Sequence, residues 1–271
     1  MTPTRAARLF TVLTTFVLLS ASHVGAGTLP PRARGAGSMI AMNQGGHRFI
    51  GYLSLPAGNG THPGIVVIQE WWGLNDWVKQ QADSLAAHGY VALAPDLYHG
   101  KVANEEATAH QLMNGMSPDE AMATLRDGVD LLRRRDDVRA QSIGVIGWCM
   151  GGAYSIRLAA ADPGVRACVM YYGAPLTDEA AIRGLQAAVL GNFGALDQGP
   201  SPDQVKRFEA ALKAAGKKAD FKIYPGAGHA FANVNNPWGG YRAAAAKDAW
   251  GRTLIFLNRE LKRGSLPRKT G

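Results

Sequence analysis

Apolar residues along this chain fall into short continuous runs, and amphipathic stretches separate most of them. A continuous apolar run bounded by turn residues is typical of a strand that is buried on both faces, as in a parallel sheet. The first two runs flank Gly45-Gly46 and predict a hairpin. The runs predicted as strands are 39–42, 47–55, 64–70, 90–94, 142–147, 167–172, 187–193 and 220–224.

Helix-forming stretches lie between the later strands. Ser117 and Ser201 are each followed by proline and, three positions on, by Glu or Gln, which is a capping-box pattern with proline at the first helical position. Gly89 ends another helix. Strands that alternate with helices indicate an α/β protein, with a mostly parallel central sheet and helices on both faces. The stretches predicted as helical are 76–88, part of 99–115, 117–135, 154–161, 201–215 and 241–261.

The N-terminal residues have the pattern of a secretory signal. Arg5 and Arg8 precede an apolar stretch that is too short to span a bilayer, and small residues end at Ala26. We predict a signal peptide over residues 1–26 and a periplasmic or secreted protein, with a retained membrane anchor as the alternative. Residues 27–38 are predicted as a flexible lead-in, 39–263 as one domain and 264–271 as a basic tail.

The charge distribution and the two cysteines limit which ligands, partners and cross-links we expect. The formal charge is +8, and removal of residues 1–26, which hold two arginines and no other charged residue, leaves +6. The basic residues form no stripe with interleaved aromatics, so we expect no nucleic-acid partner and, after removal of the signal, no membrane partner. No cluster has metal-ligand spacing, and we expect a monomer without metal or cofactor. Cys168 lies within a strand and is expected to be too far from Cys149 for a disulfide.

The stretch around Cys149 carries the clearest chemical signal. An apolar strand leads into Gly147-Trp148-Cys149-Met150-Gly151-Gly152, and a helical stretch follows. This is the strand–turn–helix pattern G-x-S-x-G with cysteine at the nucleophile position. Such a turn strains the backbone of the central residue and brings a helix N-terminus close to the reacting carbonyl. The alternative is a small apolar core residue.

Three further chemically capable side chains also follow predicted strands. Glu70, Asp197 and His229 each come just after a strand, as Cys149 does. Because ligands bind at the carboxyl ends of parallel strands, we expect the four to meet at one edge of the sheet. A thiol needs a base, and a base needs an acid that orients it. Asp203 is the alternative to Asp197 for that acid.

In these motifs the chain resembles the dienelactone hydrolase (carboxymethylenebutenolidase) family, which has the α/β-hydrolase fold. The resemblance implies a Cys149–His229–Asp197 triad and an oxyanion hole made by the backbone N–H groups of Trp71 and Met150. It also implies that Glu70 takes up the thiol proton when substrate arrives. The alternative for Glu70 is a buried carboxylate bonded to backbone. The resemblance is carried by Gln69-Glu70-Trp71-Trp72-Gly73-Leu74-Asn75, Pro95-Asp96-Leu97-Tyr98, Gly147 to Gly152, Asp197 and Gly228-His229-Ala230-Phe231.

The chain departs from the family pattern where known members hold the substrate carboxylate with arginines. Here the corresponding positions are His99-Gly100-Lys101 and Ala232-Asn233. Lys101 or Arg242 could substitute, but a lysine does not reproduce the bidentate fork of arginine. We therefore do not expect dienelactone as the substrate. The side chains predicted to contact substrate are Trp72, Tyr98, Lys101, Trp148 and Trp238, and packing in the core is the alternative for the aromatic ones.

We predict a hydrolase that cleaves a lactone or carboxylic ester through a cysteine nucleophile and an acyl-thioester. Two alternatives stay open at this point. One is a broad carboxylesterase or thioesterase without lactone preference. The other is a non-catalytic small-molecule-binding protein on the same fold.

Overall fold

The computed structural model describes residues 36–44 and 47–262. These residues form an eight-stranded sheet in the order β1-β2-β4-β3-β5-β6-β7-β8. The first two strands are antiparallel to each other, β2 is antiparallel to β4, and every later pair is parallel. The strands are β1 Ser38–Gln44, β2 His47–Ser54, β3 His62–Ile68, β4 Val91–Pro95, β5 Val138–Trp148, β6 Val165–Tyr171, β7 Ala188–Gly194 and β8 Ala219–Tyr224.

Seven α-helices connect or follow these strands, and a short π-helical turn, Asn258–Lys262, ends the described chain. The predicted α/β-hydrolase class, with a mostly parallel sheet and helices on both faces, is confirmed. The helices are α1 Asp76–Ala87, α2 Glu106–Gly115, α3 Pro118–Arg134, α4 Met150–Ala161, α5 Glu179–Gly184, α6 Pro202–Ala214 and α7 Ala243–Leu257.

Alternate residues of the central strands enter opposite faces of the sheet, because successive strand side chains point to opposite sides. Val66 and Ile68 of β3 pack on the face covered by α3 to α6. Ile65 and Val67 pack on the other face, which α1 and α7 cover. Burial on both faces explains why this strand is a continuous apolar run in the sequence.

Helix ends follow the local signals. Ser201 and Gln204 form the predicted capping box at α6, and the Ser117 hydroxyl accepts a hydrogen bond from the backbone N–H of Glu120 at α3. Gly89 has φ +85° directly after α1, a conformation that glycine adopts without steric cost. Helix α5 was not predicted. It has only six residues, too few for a helical period to show.

Cys168 lies in β6 opposite Val145 of β5, is fully buried, and is a free thiol like Cys149. The expectation of no disulfide is confirmed. The predicted signal peptide, most of the lead-in and the predicted tail lie outside the described residues and stay predictions. Within the described ranges, no helix combines the length and apolar character needed to cross a membrane.

Candidate active site

Four side chains predicted from the sequence follow the carboxyl ends of four parallel strands. Glu70 comes after β3, Cys149 directly after β5, Asp197 after β7 and His229 after β8. The carboxyl ends of parallel strands share one edge of the sheet. We call the loops at this edge, which follow β3 to β8, the catalytic rim.

Cys149 occupies the sharp turn between β5 and α4. Its backbone is at φ 53° and ψ −118°, which is unusual for a residue with a side chain. The Cys149 N–H donates to the carbonyl of Tyr171, which fixes the turn to the neighbouring strand β6. Cys149 is partly exposed as a residue. The strain predicted from the motif is therefore present at the residue that carries the sulfur.

Glycine is required on both sides of this turn because backbones approach each other closely. A Cβ at Gly147 would lie 2.2 Å from the carbonyl oxygen of Gly151. A Cβ at Gly151 would lie 2.3 Å from the carbonyl oxygen of Ile68 in β3. Neither backbone contact can be relieved by a side-chain rotation. The glycines thus allow α4 to begin directly beside the end of β3.

His229 lies between Asp197 and Cys149. Its Nδ1 is 2.9 Å from Oδ2 of the buried Asp197, and Cys149 is close enough to act on its charge. Burial lowers the pKa of His229, but the hydrogen bond to Asp197 and the interaction with Cys149 raise it to about 10. The protonated imidazolium is therefore favoured, and it lies beside the sulfur.

Asp197 and not Asp203 contacts the histidine. Asp197 is 2% exposed, and its second carboxylate oxygen accepts a hydrogen bond from the Gly199 N–H at 2.9 Å. Asp203 lies in the exposed first turn of α6, where it pairs with Lys206 at 3.7 Å. The geometry therefore favours Asp197 as the acid that orients the imidazole.

Glu70 is buried but bonds to two side chains. Its Oε2 accepts a hydrogen bond from Asn233 Nδ2 at 2.6 Å, and its Oε1 accepts one from the Tyr172 hydroxyl at 3.2 Å. Burial raises the pKa of Glu70 to about 7, although both hydrogen bonds and the charge of His229 oppose the rise. The alternative for Glu70 was a buried carboxylate bonded to backbone. Glu70 is buried as that alternative predicts, but its partners are side chains and not backbone groups.

The two backbone N–H groups expected to form an oxyanion hole belong to Trp71 and Met150. Met150 is the first residue of α4, where backbone N–H groups have no partner within the helix. Trp71 follows the end of β3. Within residues 36–44 and 47–262, neither N–H donates to a protein acceptor. Both donors therefore remain available to a ligand.

Trp72 and Trp238 belong to one aromatic cluster with Trp71. The ring centroids lie 4.9 Å apart for Trp71 and Trp72, 5.8 Å for Trp71 and Trp238, and 6.1 Å for Trp72 and Trp238. Trp71 and Trp72 are buried, whereas Trp238 is 47% exposed. Of the three rings, only that of Trp238 offers a substantial surface to a ligand.

Tyr98 and Lys101 lie on the loop after β4. The buried Tyr98 hydroxyl donates to Met150 Sδ at 3.5 Å, which places Tyr98 next to the nucleophile turn. Lys101 is exposed and lines a cavity of about 190 Å³ between this loop and helices α2 and α3. Neither Cys149 nor His229 lines that cavity.

Trp148 requires a correction. Its ring is 1% exposed and packs against Trp77, with centroids 5.2 Å apart, and against Tyr171 at 5.4 Å. The last residue of a central strand alternates its side chain toward one covered face of the sheet, and here that face is the one under α1 and α7. We therefore assign Trp148 to the core and remove it from the substrate-contacting set.

Three residues that contact the site were not predicted. Tyr172 and Asn233 bond Glu70, and the Asn236 amide donates to the carbonyls of His229 and Ala230, both at 3.4 Å. Tyr172 also follows a strand end, so the rule that found the other four could have found it. The asparagines lie in an irregular loop, where the sequence carries no periodic signal.

The described part of the chain contains no group of three His, Cys or carboxylate side chains arranged to hold a metal ion. The described residues bring together a partly exposed cysteine, a histidine hydrogen-bonded to a carboxylate and two N–H donors without a protein acceptor. This arrangement suits acyl transfer, because each step of that reaction needs one of these groups.

Comparison with known proteins agrees with this chemistry. The model of the dienelactone hydrolase family matches residues 49–261. The "Putative carboxymethylenebutenolidase" of Methylorubrum extorquens is 34% identical over 215 residues, which is 74% of this chain and 73% of the relative. "Protein usf" of Aquifex pyrophilus is 31% identical over 232 residues, covering 83% of this chain and 99% of the relative.

A solved structure has the same fold. The "Putative Dienelactone Hydrolase" from Klebsiella pneumoniae superposes with a TM-score of 0.72 at 27% identity, covering 82% of this chain and 99% of that one. The family match spans most of the sheet and every one of the four rim side chains. The chain therefore belongs to the dienelactone hydrolase family and is a carboxylic ester hydrolase.

Proposed function

We propose that this hydrolase cleaves a lactone or other carboxylic ester with Cys149 as the nucleophile, by way of an acyl-thioester. The observation that carries the proposal is the placement of His229 between Cys149 and Asp197, with its Nδ1 2.9 Å from Asp197 and the sulfur on a strained turn at the start of a helix. A cysteine needs a group that accepts its proton and a neighbouring positive charge that stabilises the thiolate, and Glu70 and the His229 imidazolium can supply these two functions.

The first step generates the thiolate. Glu70 accepts the proton of the Cys149 thiol, and the His229 imidazolium stabilises the thiolate that results. Because Glu70 bonds Tyr172 and Asn233, its carboxylate has to turn toward the sulfur when substrate arrives. A carboxylate with a pKa of about 7 is a suitable acceptor at neutral pH, since it is partly ionised and its conjugate acid is weak.

The thiolate then attacks the ester carbonyl carbon. The C–S bond forms, and the carbonyl oxygen becomes an oxyanion that accepts hydrogen bonds from the N–H groups of Trp71 and Met150. Collapse of this intermediate breaks the bond to the alcohol oxygen, which takes the proton of the His229 imidazolium. The products of this half-reaction are an alcohol and an acyl-thioester on Cys149, and His229 is now neutral.

Water completes the cycle. Neutral His229 takes a proton from water as its oxygen attacks the thioester carbonyl, and collapse expels the Cys149 thiolate. The acid leaves, the thiolate recovers its proton from Glu70, and His229 is again an imidazolium. Asp197 stays ionised throughout and stabilises that cation. The sum is one ester and one water converted to one acid and one alcohol.

The acyl-thioester can be trapped. Reaction with an activated aryl ester, followed by an acid quench, is expected to leave one acyl group on Cys149 and none on the fully buried Cys168. Peptide mapping by mass spectrometry locates the adduct, and neutral hydroxylamine should remove it, because thioesters are more labile to it than oxygen esters. An acyl group found on a serine, with Cys149 unmodified during turnover, would contradict the proposal.

The pH dependence of kcat/KM should be bell-shaped. Glu70 has to be ionised to accept the thiol proton, so activity rises with an apparent pKa of about 7. His229 has to be protonated to release the alcohol, so activity falls with an apparent pKa of about 10. Initial rates on a neutral ester, with the fold checked by circular dichroism at each pH, measure both limbs. Glu70→Gln should lower activity and remove the acidic limb; retention of that limb would exclude Glu70 as the acceptor.

A further inference from the structure

Exposed apolar side chains concentrate on the catalytic rim. The described part of the chain has seven large apolar side chains that are exposed. Two of them, Met39 and Ile255, lie on β1 and α7. The other five follow the carboxyl ends of parallel strands, namely Val102, Leu196, Val234, Trp238 and Tyr241. Exposed apolar side chains on the same edge of the sheet as Cys149 are consistent with a ligand that has an apolar part, and Trp238 is the one with contacts to the site.

Trp238 is held in place on this rim. Its Nε1 donates to a carboxylate oxygen of Glu106 at the start of α2, and its backbone N–H donates to Asn236 Oδ1 at 3.0 Å. Asn236 in turn bonds the carbonyl of His229. The exposed ring therefore has a fixed position relative to both the histidine and the Trp71 loop, and it is a preformed surface for an apolar group.

The polar groups of the same loops are already engaged. The Arg242 guanidinium donates to the carbonyls of Gly226 at 3.0 Å, Gly239 at 3.1 Å and Tyr241 at 3.0 Å. The Asn233 amide is bonded to Glu70. Lys101 lines the separate cavity beside α2 and α3. Both edges of the Arg242 guanidinium therefore include an engaged nitrogen, Nε or Nη1, so a substrate carboxylate would lose hydration without gaining a bidentate arginine partner.

Negative charge beneath the rim acts in the same direction. Glu70 and Asp197 are both buried, and among the described side chains that contact them only His229 carries a positive charge. When Glu70 is ionised, the two carboxylates outnumber the one imidazolium, and their field opposes an anionic group near the sulfur. The apolar surface and the charge balance thus both favour a substrate without a negative charge.

We propose that the substrates of this site are uncharged esters or lactones whose aromatic or aliphatic body packs on Trp238. The inference rests on the proposed function, because it concerns the ester that Cys149 attacks. It adds the class of ester that the enzyme prefers and names Trp238 as the residue that determines this preference.

Three aryl esters test the proposal on the purified full-length chain. 4-Nitrophenyl hexanoate and the 4-nitrophenyl monoester of adipic acid have acyl chains of equal length and differ in a terminal carboxylate. We expect kcat/KM to be about tenfold or more higher for the hexanoate, because the carboxylate has no partner. 4-Nitrophenyl acetate has the same leaving group but a two-carbon acyl chain, so it is the reference from which the contribution of the longer apolar acyl chain is measured.

Variants at Trp238 locate the selectivity. Trp238→Ala should lower the hexanoate-to-acetate ratio of kcat/KM by about fivefold through lost apolar contact, and Trp238→Phe should restore most of it. The ratio is taken within one preparation, so it does not depend on the fraction of folded protein. Ile255→Ala removes an equally apolar, exposed side chain from α7 and should leave the ratio unchanged.

The outcomes separate the two proposals. Equal or faster hydrolysis of the adipate monoester, or an unchanged ratio in Trp238→Ala, overturns the substrate inference while ester hydrolysis through Cys149 stands. Absence of Cys149-dependent turnover on all three esters overturns the proposed function and this inference together.

Discussion

Replacement of Cys149 by alanine is expected to lower turnover of an activated aryl ester by about 10⁴-fold or more. In the proposed mechanism the sulfur forms the covalent bond on which every later step depends, and Cys168 cannot replace it because it is buried in β6. Alanine keeps the Cβ and tolerates the turn as well as cysteine does, so the fold should survive. Steady-state rates and thermal unfolding measured on one preparation check both statements.

Cys168→Ala is the matched control for this variant. It removes the same sulfur atom from the core, where burial raises the pKa of the thiol and keeps it protonated. The cavity should cost about 1–2 kcal/mol of unfolding free energy without a loss of catalysis. Turnover that persists in Cys149→Ala would exclude covalent catalysis by this residue and favour a water attack directed by His229.

The second large effect is expected for Asp197→Asn, which should lower kcat by about 10²- to 10⁴-fold. Asp197 is 2.9 Å from His229 Nδ1 and holds the ring in one orientation. Its charge also helps to raise the pKa of His229 to about 10. With asparagine, the imidazolium loses its nearest carboxylate, so the alkaline limb of the pH profile should move to lower pH.

Asp203→Asn makes the same chemical change six positions along the chain. It tests whether Asp203, and not Asp197, is the carboxylate that orients His229. Asp203 is exposed, and its ion pair within the described part of the chain is the one with Lys206, so kcat should stay within a factor of about two of the native value. A large loss in Asp203→Asn with little change in Asp197→Asn would reverse the assignment. The shift of the alkaline limb distinguishes a lost charge at the histidine from a general loosening of the loop.

Local signals explain how much of the fold could be predicted. The central strands are continuous apolar runs because helices cover both faces of the sheet, and this burial is visible in the composition of each strand. Ser117 and Ser201 mark helix starts because their hydroxyls satisfy backbone N–H groups that lack partners within the helix. The predictions failed for Trp148 and α5 because a local signal was missing. Neither a buried ring at a strand end nor a six-residue helix has a distinctive pattern in the sequence.

The order of the strands could not be inferred from such signals. Strand β4 lies between β2 and β3, so the chain leaves the centre of the sheet before returning through β5. This order depends on which edges pair, and pairing is a contact between residues distant in the chain. The common edge of the four reactive side chains nevertheless followed from the parallel direction alone, which is why their meeting was predictable.

The α/β class, the sharp turn at Cys149 and the side chains that follow the strand ends depend on local periodicity and on where strands stop, so they can be predicted from the amino-acid sequence. The contacts that these side chains make depend on the folded chain. Glu70 bonds Tyr172 and Asn233, which lie 102 and 163 positions later, and Trp238 packs on Trp71 and Trp72 across a similar distance in the chain. Such contacts arise from the packing of loops around the sheet, and no local pattern encodes them.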